Sequence, residues 1–341
     1  MAREISFMKA INEALAQAMR ADDRVMLLGE DLAGGHGVEH LNGDGAWGGV
    51  MGVTKGLIEE FGEKRVKDTP ISEMGYMGIA VGAAATGLRP VPELMFNDFL
   101  GFCFDTLLGQ ASKMRYMFGG KAKLPLTVRT MHGAGASAAA QHSGSYYGLL
   151  GAIPGIKVVV PSTPYNAKGL LLSSIEEDNV VVFSEDKTLY AQKGEVPEDY
   201  YTIPLGKADV VREGEDLTIV TIGKMLYQGI EVADQLASSG ISVDLIDLLT
   251  VAPWDQETVL ESVRKTGRLI VVDEANPHNN TATDIAAVVS DEAYDYLDGP
   301  VKRVTAPNTP VPFASNLEQL YIPDAARIME EADELIFDLK K

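Results

Sequence analysis

Glu73 follows a short strand and a proline, a position from which a carboxylate could do chemistry. It comes after Asp68-Thr69-Pro70-Ile71-Ser72 and opens a Gly- and Ala-rich helix that runs to Thr86. Ligands of open α/β sheets bind outside the carboxyl ends of strands, so a carboxylate here is placed to meet one. The same position suits an acid that only favours the helix dipole. Position alone leaves both readings open. His142, in Ala140-Gln141-His142-Ser143-Gly144, is flanked by small residues that would let it reach a substrate. An ordinary surface-loop histidine has the same surroundings. His36 and His40 stand four apart, but in a Gly-rich loop without helical pattern, which argues against zinc. The single cysteine, Cys103, excludes an internal disulfide and a Cys-rich metal site. Its neighbours Gly101, Phe102 and Phe104 suggest a buried core thiol.

Other motifs fail on inspection. Gly133-Ala134-Gly135 lacks the third glycine of a dinucleotide fingerprint. Neither a Walker A sequence nor a Gly-x-Ser-x-Gly elbow occurs. The chain has 341 residues, 46% of them hydrophobic, enough for two domains with cores of their own. Its net charge of −20 argues against nucleic acid, whose binding relies on Lys and Arg. The N-terminus shows no signal-peptide pattern, and Met74 to Leu88 falls short of the about 20 residues that span a bilayer. The expectation is a cytoplasmic protein that neither enters a membrane nor binds nucleic acid.

The elements that must position these groups alternate between short β-branched runs and helical patterns, as in parallel α/β layers. Strands are predicted at 25–28, 65–67, 91–96, 126–130, 157–160 and 180–183, with helices at 7–20, 54–61, 73–86, 99–118 and 167–177. Residues 186–216 carry Gly, Pro, Tyr and mixed charge and are expected to be a linker. Strands at 217–221, 242–247, 269–272 and 301–305 then alternate with helices at 227–238, 256–265 and 283–296. A last helix over 324–339 has an inward apolar stripe and an acidic outer face at Glu330, Glu331 and Glu334. That face could dock a basic partner or simply be solvated.

Longer stretches resemble a known family. Lys67-Asp68-Thr69-Pro70-Ile71-Ser72-Glu73-Met74-Gly75, Leu88-Arg89-Pro90-Val91-Pro92-Glu93 and Ala139-Ala140-Gln141-His142-Ser143 look like β subunits of the heterotetrameric 2-oxoacid dehydrogenases. Pro154-Gly155-Ile156-Lys157-Val158-Val159, Thr309-Pro310-Val311-Pro312-Phe313 and Leu320-Tyr321-Ile322-Pro323 extend the likeness to the end of the chain. The Gly-rich loop before Ala46-Trp47-Gly48-Gly49-Val50 is most similar to acetoin dehydrogenase β subunits.

The resemblance implies an α/β fold of two three-layer parallel-sheet domains. These would be a transketolase-like pyrimidine-binding domain over 1–185 and a transketolase C-terminal-like domain over 217–341. It implies thiamine diphosphate as cofactor, an α subunit that holds Mg²⁺ on the diphosphate, and a lipoyl acyltransferase as acceptor. Glu73 matches the glutamate that bonds the aminopyrimidine ring, and Glu30 a second acid linking paired sites. Phe99 matches the aromatic packed on the pyrimidine, and Ile71 is counted with it among the cofactor-binding residues. His142 matches a histidine that assists transfer to the lipoyl arm. A potassium site in relatives would fall at Leu126, Ser174, Glu177 and Asn179. Gly43-Asp44-Gly45 resembles the start of the Mg²⁺-diphosphate motif, but no Asn-Asn follows at the right place, and it is expected to be a turn. Gly144 and Ala152-Ile153 depart from the family pattern, which leaves the substrate open among acetoin, pyruvate and branched-chain 2-oxoacids. A single-chain transketolase would carry the diphosphate motif itself. A regulatory subunit without its own site is the non-enzyme alternative.

Overall fold

The computed structural model describes residues 2–34 and 46–337. His36, His40, Gly43-Asp44-Gly45 and the end of the predicted last helix lie outside them. In chain order the elements are β1 (Ala2–Ser6), α1 (Phe7–Ala21), β2 (Val25–Gly29), α2 (Leu57–Phe61), β3 (Val66–Asp68), α3 (Glu73–Ala85) and β4 (Arg89–Phe96). Then come α4 (Leu100–Asp105), α5 (Ser112–Met117), β5 (Thr127–His132), α6 (Tyr147–Gly151), β6 (Ile156–Val159), α7 (Pro164–Glu176), β7 (Val180–Asp186), β8 (Lys193–Pro197) and β9 (Asp209–Arg212). They continue with β10 (Leu217–Thr221), α8 (Met225–Ser238), β11 (Val243–Asp247), β12 (Thr250–Ala252), α9 (Gln256–Thr266), β13 (Leu269–Asp273), α10 (Thr281–Glu292), β14 (Lys302–Thr305), α11 (Ser315–Tyr321) and α12 (Ala325–Phe337).

The chain divides into two units. The first comprises residues 1–132, 152–159 and 163–205, and the second 133–151, 160–162 and 206–341. Residues 133–151 therefore leave the first unit, although they lie between two of its strands in sequence. The stretch expected to be a linker is also structured in part. β8 pairs antiparallel with β1, with Ile5 opposite Gly194, and β9 pairs antiparallel with β11. Neither strand shows a clear alternation of its own, so only the distant partner gives it away.

In the first unit the strands run β6-β7-β5-β4-β2-β3, all parallel. β5 and β7 are buried along their whole length, as expected of strands covered on both faces. Ser6 caps α1 by accepting from the Lys9 amide, and Thr163 caps α7 by accepting from the Asn166 amide. The predicted helix over 99–118 is broken by a π-helical turn at Thr106–Ala111 between α4 and α5. One face of α3 stays open, with Met74 and Ile79 exposed. A Cβ added at Gly78 or Gly82 would meet nothing in this chain, so their smallness does not serve its own packing. Phe102, Tyr116, Met117 and Phe118 of the same unit are exposed as well.

In the second unit the order is β14-β13-β10-β11-β9, parallel except for β9. Its core joins Leu217, Ile219, Leu245, Ile270 and Val272 of the sheet to Val232 and Leu236 of α8 and to Ile328, Ala332 and Leu335 of α12. On the outer face of α12, Glu331 and Glu334 both pair with Lys302, while Glu330 and Asp333 are exposed. No helix among the described residues is long and apolar enough to cross a membrane.

Candidate active site

From β2 the chain moves to β3 on one side, and from β4 it moves to β5 on the other. The crevice between β2 and β4 is thus the topological switch point of this sheet, where open α/β folds bind ligands. Glu30 follows β2 directly and is only 6% exposed. Glu73, the first residue of α3, is 8% exposed. One turn further, Tyr76 is buried. Neither the Tyr76 hydroxyl nor Glu30 Oε1 has a hydrogen-bond partner among the described residues. The approach of β2 to β4 is close: a side chain at Gly29 would put its Cβ 3.1 Å from the Glu93 carbonyl oxygen. A larger residue before Glu30 would make the Glu93 backbone give by a few tenths of an ångström.

The charges of this pocket act on one another. Burial, and after it the charge of Glu73, raises the Glu30 carboxyl above its ordinary 4.5. Burial and the charges of Glu30 and Glu73 also raise the Tyr76 hydroxyl. The Cys103 thiol is pushed up to about 12, by burial first and Glu73 second. It is a buried core thiol, as its neighbours suggested. Behind Glu30, Glu93 of β4 accepts from Arg129 Nη1 at 2.6 Å, and Arg129 also donates to both oxygens of Glu185. Burial raises the Glu93 carboxyl despite that arginine.

Phe99 closes a 3-10 turn after β4. It is half-buried, and its ring stands edge-on to Phe96 with centroids 5.5 Å apart. Ile71, two residues before Glu73, is 84% exposed. The first unit thus brings Glu30, Glu73 and Phe99 to one end of its sheet. His142 is carried by the second unit, half-buried, with its amide donating to the Ala139 carbonyl.

A raised carboxyl has a defined effect on stability. Glu30 binds its proton more tightly folded than unfolded, so its contribution is full below the ordinary carboxylate value and is lost as pH rises through the folded value. We expect Glu30→Gln to melt above the wild-type chain at pH 7–8 and to converge with it towards about pH 4. Parallel melting curves across that range would show that Glu30 carries no such burden.

The residues matched to a potassium site gather at one corner of the first unit, where protein groups already bond to their oxygens. The Leu126 carbonyl accepts from the Val181 amide, and the Ser174 carbonyl from Thr127 Oγ1. Lys157 Nζ donates to the Glu177 carboxylate at 2.5 Å, and Arg115 donates to Asn179 Oδ1. Arg89 Nη1 donates to the carbonyls of Ile175, Glu176 and Glu177 at the end of α7. Burial would raise the Glu177 carboxyl, but the Lys157 hydrogen bond and charge, with Asn179 and the Asp178 amide, carry it below the usual range. Among the described residues no cluster of three or more His, Cys, Asp or Glu could hold a metal.

Motif reading missed Tyr76, and it gave no role to Glu93 or Arg129. A signal for the last two was present. A carboxylate inside the apolar run Val91–Phe96 and an arginine inside Leu126–Thr130 are buried charges of opposite sign on predicted strands.

Residues 3–193 match the family model for the transketolase pyrimidine-binding domain, and residues 206–328 that for the transketolase C-terminal domain. The β subunit of acetoin:2,6-dichlorophenolindophenol oxidoreductase from Bacillus subtilis is 59% identical over 336 residues, 98% of each chain. The chain belongs to the transketolase-related family of dehydrogenase β subunits. Another member, the same-named subunit from Cupriavidus necator, is 53% identical over 97% of each chain. The β subunit of the pyruvate dehydrogenase E1 component from Bacillus subtilis is 43% identical, covering 98% of this chain and 99% of its own. A solved split-gene transketolase, described as an inactive β4 tetramer, superposes with a TM-score of 0.78 over 99% of both chains. At 21% identity it speaks for the fold alone.

Proposed function

We propose that this chain is the β subunit of a heterotetrameric thiamine-diphosphate-dependent dehydrogenase component that cleaves acetoin and passes the acetyl group to a lipoyl acyltransferase. The observation that carries the substrate is the 59% identity to an acetoin enzyme along nearly the whole chain, against 43% to a pyruvate enzyme. Pyruvate or a branched-chain 2-oxoacid is the second reading, with the same site.

The pocket suits an aminopyrimidine. It offers two nearly buried carboxylates, an unpartnered Glu30 oxygen and the Phe99 ring at its edge. Thiamine diphosphate, when bound, supplies the electron sink for cleavage beside a carbonyl. Glu73 is assigned to hold and exchange a proton at the pyrimidine ring nitrogen, a general acid–base role. Glu30, raised by burial and by Glu73, is the second proton carrier of the pocket. Phe99 limits water at the ring. His142 is assigned to the acceptor side, where it assists acetyl transfer. Mg²⁺ and the diphosphate are assigned to an α subunit, because this sequence lacks the Gly-Asp-Gly and Asn-Asn pairing that would hold them. The open apolar face of α3, α4 and α5 is assigned to subunit contacts.

The test is expression with and without a partner subunit that carries the diphosphate motif. Calorimetry should detect thiamine diphosphate binding to the pair and not to this chain alone, and dye reduction should follow acetoin above pyruvate and branched-chain 2-oxoacids. Tight binding by the chain alone would overturn the split site. A preference for pyruvate would overturn the substrate and leave the site standing.

A further inference from the structure

The second unit has a switch point of its own, between β10 and β13, because the chain leaves these neighbours towards β11 and β14. In an open sheet that crevice is where a ligand binds. Here it is filled from within. Lys224, just beyond β10, donates to the Ala134 carbonyl, and Glu274, just beyond β13, accepts from the Ala134 amide. Lys224 and Glu274 also pair with each other at 2.7 Å. Ala134 is fully buried against Ala306, Val311 and Tyr321.

The next residues are held from α11. Glu318 is 2% exposed, and its carboxylate accepts from the Gly135 amide at 2.7 Å and the Ser137 amide at 2.9 Å. These are charge-assisted bonds, roughly twice as strong as neutral ones. They hold a backbone that L-residues avoid. Ser137 has φ +49° and Ala139 φ +62°, a left-handed conformation costing about 1–2 kcal/mol per residue. The His142 amide bonds to the Ala139 carbonyl, so the histidine hangs from the strained end of this segment. The buried Ser143 and Ser145 hydroxyls beside it have no partner among the described residues. Strain and unpaired hydroxyls persist where surrounding contacts over-determine a segment, as functional loops require.

We propose that Glu318 positions His142, clamping the strained loop from one side while the Lys224–Glu274 pair clamps it from the other. Glu318 acts through the backbone and touches no substrate. The inference rests on the role assigned to His142 above.

The experiment uses the assembled enzyme with its α subunit. In Glu318→Gln the amide accepts at one oxygen only and turns its NH₂ towards an N–H, so the loop loses a hold. Acetyl transfer to lipoamide should fall about 10²-fold, the scale on which a misplacement of about 1 Å acts. KM for the donor substrate should not change, and Glu318→Asp should recover part of the loss. The double variant with His142→Ala should be no slower than His142→Ala alone, because both remove the same function. The readout independent of activity is the NMR signal of the His142 imidazole, which should shift or broaden in Glu318→Gln. If Glu318→Gln fails to assemble, Ala139→Gly probes the same linkage, and the ring signal should again broaden. Additive rates or an unchanged ring signal would overturn the positioning. A ring signal that depends on Glu318, with transfer indifferent to His142→Ala, would overturn the role of His142 and leave the positioning intact.

Discussion

Glu73→Gln should leave assembly intact and reduce turnover of the reconstituted enzyme by about 10²–10⁴-fold, the usual reach of general acid–base catalysis. An amide keeps the shape of the side chain, and little packing is at stake. What it loses is a proton that can be exchanged at the ring nitrogen. The variant also has an internal check. The charge of Glu73 is the second cause, after burial, of the raised Glu30 carboxyl. Removing it should bring the Glu30 titration down towards the ordinary carboxylate range, visible by NMR or in the pH dependence of melting. Near-normal turnover would reduce Glu73 to an acid that serves the start of α3. A lost activity with an unmoved Glu30 would separate catalysis from the electrostatic pairing.

The other large effect is on stability. Arg129→Met should destabilise the first unit by about 3–5 kcal/mol, because it leaves Glu93 and Glu185 buried without their counter-charge. For a unit of this size that corresponds to a melting point about 6–20 °C lower. The Tyr190 hydroxyl still donates to Glu185, but it is neutral and cannot replace a guanidinium. Changing Glu93 and Glu185 to Gln in the same chain should restore most of the loss, since buried ion pairs replaced as a set often cost little. A single variant that melts with the wild type would show that water or rearrangement screens the two carboxylates.

Some of this was legible in the residues and some was not. The parallel sheets could be read because their strands are short apolar runs between amphipathic helices, as at Val180–Phe183 and Leu269–Val272. Position alone marks Glu73, at the junction of a predicted strand and helix, whereas Glu30 enters only through the family resemblance. Long-range pairing stayed hidden. β1 finds its partner about 190 residues later, and nothing in Ala2–Ser6 points to Lys193–Pro197. The same holds for residues 133–151, whose first residues are held in the second unit by Lys224, Glu274 and Glu318. Each is an ordinary charged residue in sequence, and only burial reveals its work. The partners of Glu177 and Asn179 are equally silent in sequence, because Lys157 and Arg115 come from other elements.

The open face with Met74, Ile79, Phe102 and Tyr116 bears on how the chain must be made. Bare apolar patches of this kind invite indiscriminate sticking. Anything that covers such a face in the folded state adds to stability in proportion to the logarithm of its concentration. A chain synthesised in excess of its partner forfeits that support and falls to chaperones and proteases. Co-production in matched amounts, from one transcript or in one expression vector, should therefore decide yield more strongly than any single substitution on the surface.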